Sequence, residues 1–371
     1  MHNGFSKTLL DQVTSLETRI DAERALPAGL VRALHAEHAF RLLIPQAGGG
    51  VELPFPAYVG WVRELAARDA STAWCVNQAA LIGTTTLWLE PEIVRKLWSD
   101  PEQCVANGPP LGAVLEPTDS GGIVDADWGF SSGCRHSRLM AGAVRRTSDQ
   151  GWRMIFFPPA SAQFIDDWDV AGLRGTASFR FGVRRLVVTE EMIANLADRP
   201  SFAVPITRLA TGLSFAVSFA SIALGVARRG LDYATQLAAG KNPVYARGAL
   251  KDDGSAQRRL GELEARWRSI RAYLDDAVSS VWSEIQHQEA MTEAQRVAWR
   301  LCGTHVIREA VEVMQGGYQL CGSTGIYRTS ELHRPWADMQ VISQHVQGRE
   351  QFYALGGRWL MGHPYEYGPL A

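Results

Sequence analysis

Two segments near the middle of the chain carry small hydroxyl side chains, a residue type suited to holding a flat polar ring. Ser131 and Ser132 lie in WGFSSGCRH, and Thr176 and Ser178 lie further along in GLRGTAS. Each hydroxyl group can both donate and accept a hydrogen bond. The two segments therefore predict a cradle for a flat cofactor, and an ordinary Ser-Ser-Gly turn is the alternative for the first of them.

The second segment adds the glycines and the tryptophan that such a cradle needs. Thr176 and Ser178 alternate, so we expect them to face the same side of a strand. Gly172 and Gly175 permit a close approach of the backbone, and Trp168 can pack on a ring. The alternative is a solvated strand face.

Two further candidates lie in the C-terminal half. His345, in HRPWADMQVISQHVQGRE, belongs to a residue type that titrates near neutrality and can donate or accept a proton. Arg259, with Arg258 as the alternative, lies where the charged loop KDDGSAQRRLGELE enters a helix, and a guanidinium fork suits a phosphate. The alternatives are a partly exposed helix histidine and a solvated start of a helix.

The composition excludes several classes of protein. The 371 residues include 46% hydrophobic and 20% charged residues with a net charge of −2, which is typical of a globular protein with no field for nucleic acid or a membrane. The five scattered cysteines predict reduced thiols in the cytoplasm. The apolar stretch Leu209 to Val226 contains recurring small hydroxyl residues, which indicates a core helix. No HExxH, P-loop, GxSxG or zinc spacing occurs, so no metal is expected.

The order of elements predicts an α+β fold that is mainly α. Residues 1–103 form an N-terminal helical domain, residues 104–204 a small antiparallel β domain, and residues 205–371 a four-helix bundle. The predicted long helices are Leu209 to Ala239, Gly261 to Gln286, Thr292 to Met314, and one within Trp336 to Trp359.

These motifs, in this order, resemble the acyl-CoA dehydrogenase superfamily over the whole chain. FRLLIPQAGGGVEL (Phe40 to Leu53) and WDVAGLRGTAS (Trp168 to Ser178) are similar to its N-terminal and flavin-contacting segments. RDASTAW, WGFSSGCRH and GLRGTAS resemble one branch, the two-component flavin-dependent monooxygenases (class D) such as p-hydroxyphenylacetate hydroxylase and dibenzothiophene monooxygenase.

The resemblance implies an oxygenase component that oxygenates a small aromatic or heteroaromatic molecule through a C4a-hydroperoxyflavin. Reduced flavin, in the first place FMN and alternatively FAD, would diffuse from a separate reductase and bind between the β domain and the bundle of a cytoplasmic homotetramer. By the same resemblance Ser132 lies beside the peroxide, His345 acts as acid, base or hydrogen-bond partner, and the cofactor contacts are Trp128, Ser131, Ser132, Trp168, Thr176, Ser178 and Arg259.

The resemblance also shows where a dehydrogenase would carry its base. One such position falls near Val346 and the other near Phe215, and neither holds a carboxylate. A phenol hydroxylase would carry histidines near Ile82 and Thr85, which are absent here. An acyl-CoA dehydrogenase with an unusual base, and a silent member serving binding or assembly, are the alternatives.

Overall fold

The structure, a computed structural model, describes residues 4–244 and 248–368. The chain divides into two compact units, and the division passes through two helices, α3 (Phe55–Ala66) and α4 (Ala70–Gly83). The first unit comprises Met1–Tyr58, Trp74–Val170 and Arg174–Leu209. The second comprises Val59–Ala73, Ala171–Leu173 and Ala210–Ala371. The predicted three-domain boundaries at 103 and 204 remain a prediction.

The N-terminal helices begin at residues that cap them. Ser6 precedes α1 (Lys7–Glu23), and its side chain accepts a hydrogen bond from the backbone N–H of Leu9 at 3.1 Å. Proline precedes α2 (Ala28–Ala36) and occupies the first turn of α5 (Pro91–Trp98). Asp69 precedes α4 and accepts from the backbone N–H of Thr72 at 2.6 Å.

The β region of the first unit is one eight-stranded sheet in the order β6-β7-β3-β2-β4-β5-β8, with β1 paired to β4. Most pairs are antiparallel, which confirms the predicted antiparallel character, but β1 and β2 each run parallel to β4. The strands are β1 (Val105–Gly108), β2 (Pro110–Thr118), β3 (Gly121–Ser131), β4 (Leu139–Arg146), β5 (Trp152–Phe157), β6 (Gln163–Ile165), β7 (Phe179–Thr189) and β8 (Ile193–Ala194).

After the short α6 (Pro205–Arg208), the second unit packs long helices around a buried helix, α7 (Thr211–Gly240). By length and composition α7 could cross a membrane, but 78% of its most apolar window is buried inside the protein, as expected of a core helix. Close packing depends on small residues, because a methyl group at Gly303 would lie 2.9 Å from Ala216. The other helices are α8 (Gly254–Ile285), α9 (Glu293–Cys321), α10 (His333–Ser343) and α11 (Gln351–Leu360).

Three of the predicted helices differ from the structure in their bounds. α9 continues through Gly316 and Gly317 to Cys321, beyond the predicted end at Met314. α8 begins at Gly254, before the predicted Gly261, because Asp253 caps it by accepting from the N–H of Ala256 at 2.8 Å. The stretch predicted to contain one helix, Trp336 to Trp359, contains parts of both α10 and α11. The break between them carries His345.

Candidate active site

A chain of three buried hydroxyl groups joins the two segments in the first unit. The Ser132 Oγ and Ser178 Oγ atoms are 2.7 Å apart, and Thr176 Oγ1 lies 2.7 Å from Ser178 Oγ. Either oxygen of each pair can donate. The side chains are at most 5% exposed. The prediction that Ser132, Thr176 and Ser178 lie together is therefore confirmed. Because the three oxygens are linked by hydrogen bonds, a change of donor at one oxygen can be passed on to the other two.

The backbone between these groups is a pair of turns. β3 ends at Ser131, and Gly133 follows with a positive φ of 80°, which favours glycine. The N–H of Gly133 donates to the carbonyl of Thr176 at 2.8 Å, which ties the first turn to the second. Ala177, at φ 45°, lies in the left-handed region between Thr176 and Ser178.

The expectation that Thr176 and Ser178 alternate along a strand is wrong. Thr176 ends a 3-10 turn (Arg174–Thr176), and β7 begins only at Phe179. The two hydroxyls meet because the left-handed Ala177 folds the chain back between them. The turn, and not a strand face, places these groups together.

The two tryptophans named as cofactor contacts occupy different environments. Trp128 is fully buried, stacks on Phe181 at 4.9 Å and donates its indole N–H to the carbonyl of Ala143 at 3.0 Å. We therefore revise Trp128 from a cofactor contact to a core residue of the sheet. Trp168 is 9% exposed and lies edge-on to Phe130, with ring centroids 6.1 Å apart.

Ser131 provides the test of whether this site fits a polar ligand. Its side chain is fully buried, and its Oγ has no hydrogen-bond partner among the residues that the structure describes. Leaving a buried hydroxyl without a partner costs on the order of 1–3 kcal/mol. The polar edge of a flavin would supply partners for such hydroxyls, so the donor set fits that group.

A histidine packs behind the serine turn. A methyl group at Gly133 would lie 3.1 Å from His136 Nε2, and the His136 ring lies 5.5 Å from Phe40, which in turn contacts His35 at 4.7 Å. These contacts pack the His136 ring behind the turn. An open cleft of about 610 Å³ borders His35 and His136, but its lining does not include Ser132. The cleft is therefore separate from the hydroxyl chain.

His345, in the second unit, lies in the break between α10 and α11. Its backbone is extended, its N–H donates to the carbonyl of Ile342 at 3.0 Å, and its ring is edge-on to Phe219 with centroids 4.4 Å apart. Burial, and then the charge of Arg349, lower the pKa of His345 to about 4. The expectation of titration near neutrality is not met. At neutral pH the imidazole is therefore uncharged, which suits hydrogen bonding better than proton donation by an imidazolium.

The two positions where a dehydrogenase would carry its base are apolar. Phe215, in the first turns of α7, stacks on Phe219 with centroids 5.6 Å apart and an interplanar angle of 18°. Val346 is the first residue of a 3-10 turn after His345. From Thr211 to Leu231 the helix carries no Asp or Glu. A carboxylate base is missing at both positions, as the sequence indicated.

The sequence predicts that Arg259 on α8, with Arg258 as the alternative, binds a phosphate. Arg258 forms an exposed ion pair with Glu262, and Arg259 NH1 lies 3.7 Å from the same carboxylate. Ion pairs at such exposure contribute little to stability. The choice of Arg259 remains a prediction.

Asp338 has a role that the sequence motifs do not indicate. Its buried carboxylate accepts the backbone N–H of Leu173 at 2.6 Å, and a methyl group at Gly172 would lie 2.2 Å from the carbonyl oxygen of Ala337. The close backbone approach expected at Gly172 is thus to α10 of the same chain. The sequence signal for this role is one carboxylate within the mostly apolar stretch WADMQVI.

The buried histidines predict a loss of stability in acid. Burial lowers the pKa of His35, His136 and His345 to about 4 each, so the folded state binds fewer protons than the unfolded state between about pH 6.5 and 4. Stability is complete above pH 6.5 and is lost as the pH falls through that range. Asp69, whose pKa is raised by burial, opposes this in part.

We expect the free energy of unfolding to fall by about 1 kcal/mol per histidine at pH 5; this value includes a reduction for the partial exposure of the rings. Urea unfolding at pH 7.5, 6 and 5 measures it, and His345→Gln should reduce the pH dependence by roughly the share of one histidine. An unfolding free energy that stays constant from pH 7.5 to 5 would contradict the burial argument.

Comparison with known proteins confirms the fold. Residues 217–350 match the family model described as acyl-CoA dehydrogenase, C-terminal domain. The crystal structure of a dibenzothiophene monooxygenase from Paenibacillus, in complex with FMN and indole, superposes with a TM-score of 0.84 at 18% identity, covering 97% of this chain and 96% of that one. The fold is therefore that of the acyl-CoA dehydrogenases.

Sequence relatives narrow the class. The chain is 29% identical to the indole-3-acetate monooxygenase of Pseudomonas putida over 353 residues, which cover 92% of this chain and 89% of that protein. It is 22% identical to the oxygenase component of an FADH2-dependent resorcinol hydroxylase of Rhizobium, covering 91% and 88%. These findings confirm the resemblance to the flavin-dependent monooxygenases of this fold.

Proposed function

We propose that this protein is the oxygenase component of a two-component monooxygenase that oxygenates a small aromatic or heteroaromatic molecule. Bound reduced flavin would supply the activation of O2. The observation that carries the proposal is the buried Ser132–Ser178–Thr176 hydroxyl chain, with the unpartnered Ser131 Oγ beside it. Relatives with this chemistry over nearly the full length support it.

The residues of the hydroxyl chain divide the work of holding the flavin. Thr176 and Ser178 would hydrogen-bond the polar edge of a bound flavin, and Ser132 would hold the edge at which O2 reacts. His345, as a neutral imidazole, would offer a hydrogen bond for oxygen transfer, and Arg259 would bind the flavin phosphate. Because the three hydroxyls are linked, a change at one oxygen alters the donor available at the next.

Aromatic side chains lie at or next to the positions where a dehydrogenase would carry its carboxylate base, and they favour an aromatic substrate. Phe215 stacks on Phe219, and the His345 ring contacts Phe219 edge-on, so the three rings form one aromatic cluster. Ring faces and edges of this kind pack well against a flat aromatic molecule. Removal of a proton next to a thioester needs a carboxylate, which neither position offers.

The cofactor and the assembly are further parts of the proposal. We favour reduced FMN over FAD, delivered by diffusion from a separate flavin reductase, in a cytoplasmic homotetramer. One relative has been solved with FMN and another is named for FADH2, so equilibrium binding of each reduced flavin under anaerobic conditions is the deciding measurement.

Ser132→Ala tests the hydroxyl chain. The variant removes the terminal oxygen of the chain, so we expect reduced-flavin affinity or product formation to fall about tenfold, the cost of one buried hydrogen bond. Product and H2O2 are measured with a flavin reductase and candidate aromatic substrates such as indoles and phenols.

Ser137→Ala is the matched control, because Ser137 lies on the adjacent loop and its hydroxyl donates only locally, to the carbonyl of Cys134 at 3.1 Å and the Met140 sulfur at 3.3 Å. It should behave as wild type. Equal flavin affinity and equal coupling in wild type and Ser132→Ala would refute the proposed site.

A further inference from the structure

We propose that Arg300 and Gln347 form a positioning latch that holds the His345 turn in the conformation used for oxygen transfer. The inference rests on the proposed role of His345 and concerns the second unit alone. Neither residue is a catalytic residue in this proposal, because each acts through the backbone that carries His345.

The side chain of Gln347 bridges two long helices. Arg300 NH1, on α9, donates to Gln347 Oε1 at 2.5 Å. Gln347 Nε2 in turn donates to the carbonyl of Gly212, in the first turn of α7, at 3.1 Å. Gln347 is 2% exposed and Arg300 is fully buried. One amide thereby fixes the turn to α7 and α9 at once.

The backbone of the same turn is fixed as well. Thr304 Oγ1 donates to the carbonyl of Gln347 at 3.2 Å. A methyl group at Gly348 would lie 2.8 Å from the Ile307 side chain, so this residue also packs tightly on α9. The N–H of Gly348 donates to the carbonyl of His345 at 3.0 Å. The anchor therefore reaches His345 through a single turn of backbone.

Burying a guanidinium costs desolvation free energy, so a buried arginine at this position indicates that its hydrogen bond is needed. Burial lowers the pKa of Arg300 to about 10, and its guanidinium lies over the Phe352 ring at 4.2 Å from the centroid. An apolar side chain in this place would fill space at less cost. An apolar side chain could not donate a hydrogen bond to Gln347. Without that bond the turn is less restrained, and the His345 ring can move away from Phe219.

The latch explains how a residue in a break between helices can hold a defined orientation. Loop residues position reacting groups poorly unless neighbouring side chains lock them, and a displacement of about 1 Å can cost about 100-fold in rate. Here α10 ends at Ser343 and α11 begins at Gln351. Between them, the Gln347 side chain and carbonyl carry the contacts to α7 and α9 described above.

The test follows the His345 ring directly by NMR of protein labelled with 15N-histidine, with the His345 signals assigned from His345→Gln. In Gln347→Leu we expect the ring nitrogen signals to shift and the pKa of His345 to rise from about 4 towards 6.5, because the loosened turn admits water. Arg349 is the charged group that acts on this pKa, and it is kept in every variant.

Activity is the second readout. Gln347→Leu should lower the ratio of product to H2O2 about tenfold, with flavin affinity unchanged. Gln347→Glu keeps an oxygen facing Arg300 but replaces the donor to the Gly212 carbonyl with an acceptor, so coupling should fall between the values of wild type and Gln347→Leu. Gln344→Leu is the matched control, since the same change falls on an exposed side chain of the same segment.

The outcomes separate the latch from the proposed function. His345 signals that do not move in Gln347→Leu overturn the latch. If Gln347→Leu does not fold, Gln347→Asn shortens the side chain by one carbon so that its amide no longer spans from Arg300 to Gly212, and unmoved His345 signals there overturn the latch equally. Shifted signals with unchanged coupling support the latch and instead reject the proposed role of His345 in oxygen transfer.

Discussion

Replacing His345 with alanine is expected to lower the yield of oxygenated product per flavin turnover about 100-fold, with H2O2 rising to account for the O2 consumed. A preorganised hydrogen bond to a reacting oxygen contributes on this order in a site that excludes water. The ring is largely buried and held edge-on to Phe219, so it is already oriented before substrate arrives. Product and H2O2, measured with the same supply of reduced flavin, give the ratio.

The form of the pH dependence separates the neutral from the charged imidazole. Because burial lowers the pKa of His345 to about 4, wild-type coupling should show no titration of this group between pH 5 and 8. His345→Gln, which keeps a hydrogen-bonding amide of similar reach, should lose less than His345→Ala. A coupling ratio in His345→Ala equal to that of wild type would remove His345 from the reaction.

Replacing Gly172 with alanine is expected to lower the free energy of unfolding by about 3 kcal/mol, the upper range for overpacking a filled site. The new methyl group would lie 2.2 Å from the carbonyl oxygen of Ala337 and 2.6 Å from the N–H nitrogen of Asp338. These are backbone atoms, which cannot swing aside as a side chain can. Relief would also pull Leu173 away from the buried Asp338 carboxylate.

Urea unfolding of Gly172→Ala beside Gly261→Ala provides the comparison. Gly261 is in α8 with open space around its α-carbon, so the same substitution should be neutral or stabilise the helix by about 0.5–1 kcal/mol. Equal unfolding midpoints for the two variants would show that the Gly172 turn yields without cost, contrary to the packing argument.

The hydroxyl groups illustrate how far residue patterns reach. The type and spacing of Ser132, Thr176 and Ser178 suit a polar ring, and in the structure their hydroxyl groups do come together. The local geometry was mistaken, because alternation predicts a strand, whereas Ala177 adopts a left-handed conformation that only the surrounding turn enforces. Trp128 was selected from the same motif, yet its register opposite Phe181 places it in the core of the sheet.

For His345, the sequence indicates the residue, whereas its protonation state and orientation depend on the tertiary structure. Its candidacy came from a resemblance in the last motif and from missing carboxylates at two positions, both readable from the chain alone. Its protonation state was not readable, because the pKa depends on burial among groups far apart in sequence. The bonds that fix its turn run from residues 212, 300 and 304 to residue 347, and a one-dimensional pattern carries no sign of them.

By itself, the sequence determined the order of helices and strands, the hydroxyl and histidine candidates, and the absence of a carboxylate base, because these depend on local propensity and residue identity. Tertiary structure alone decided which hydroxyls touch, that His345 is neutral, that Asp338 holds the Leu173 backbone, and that Gln347 joins two helices. These features depend on distance and burial, which arise only when segments remote along the chain pack together.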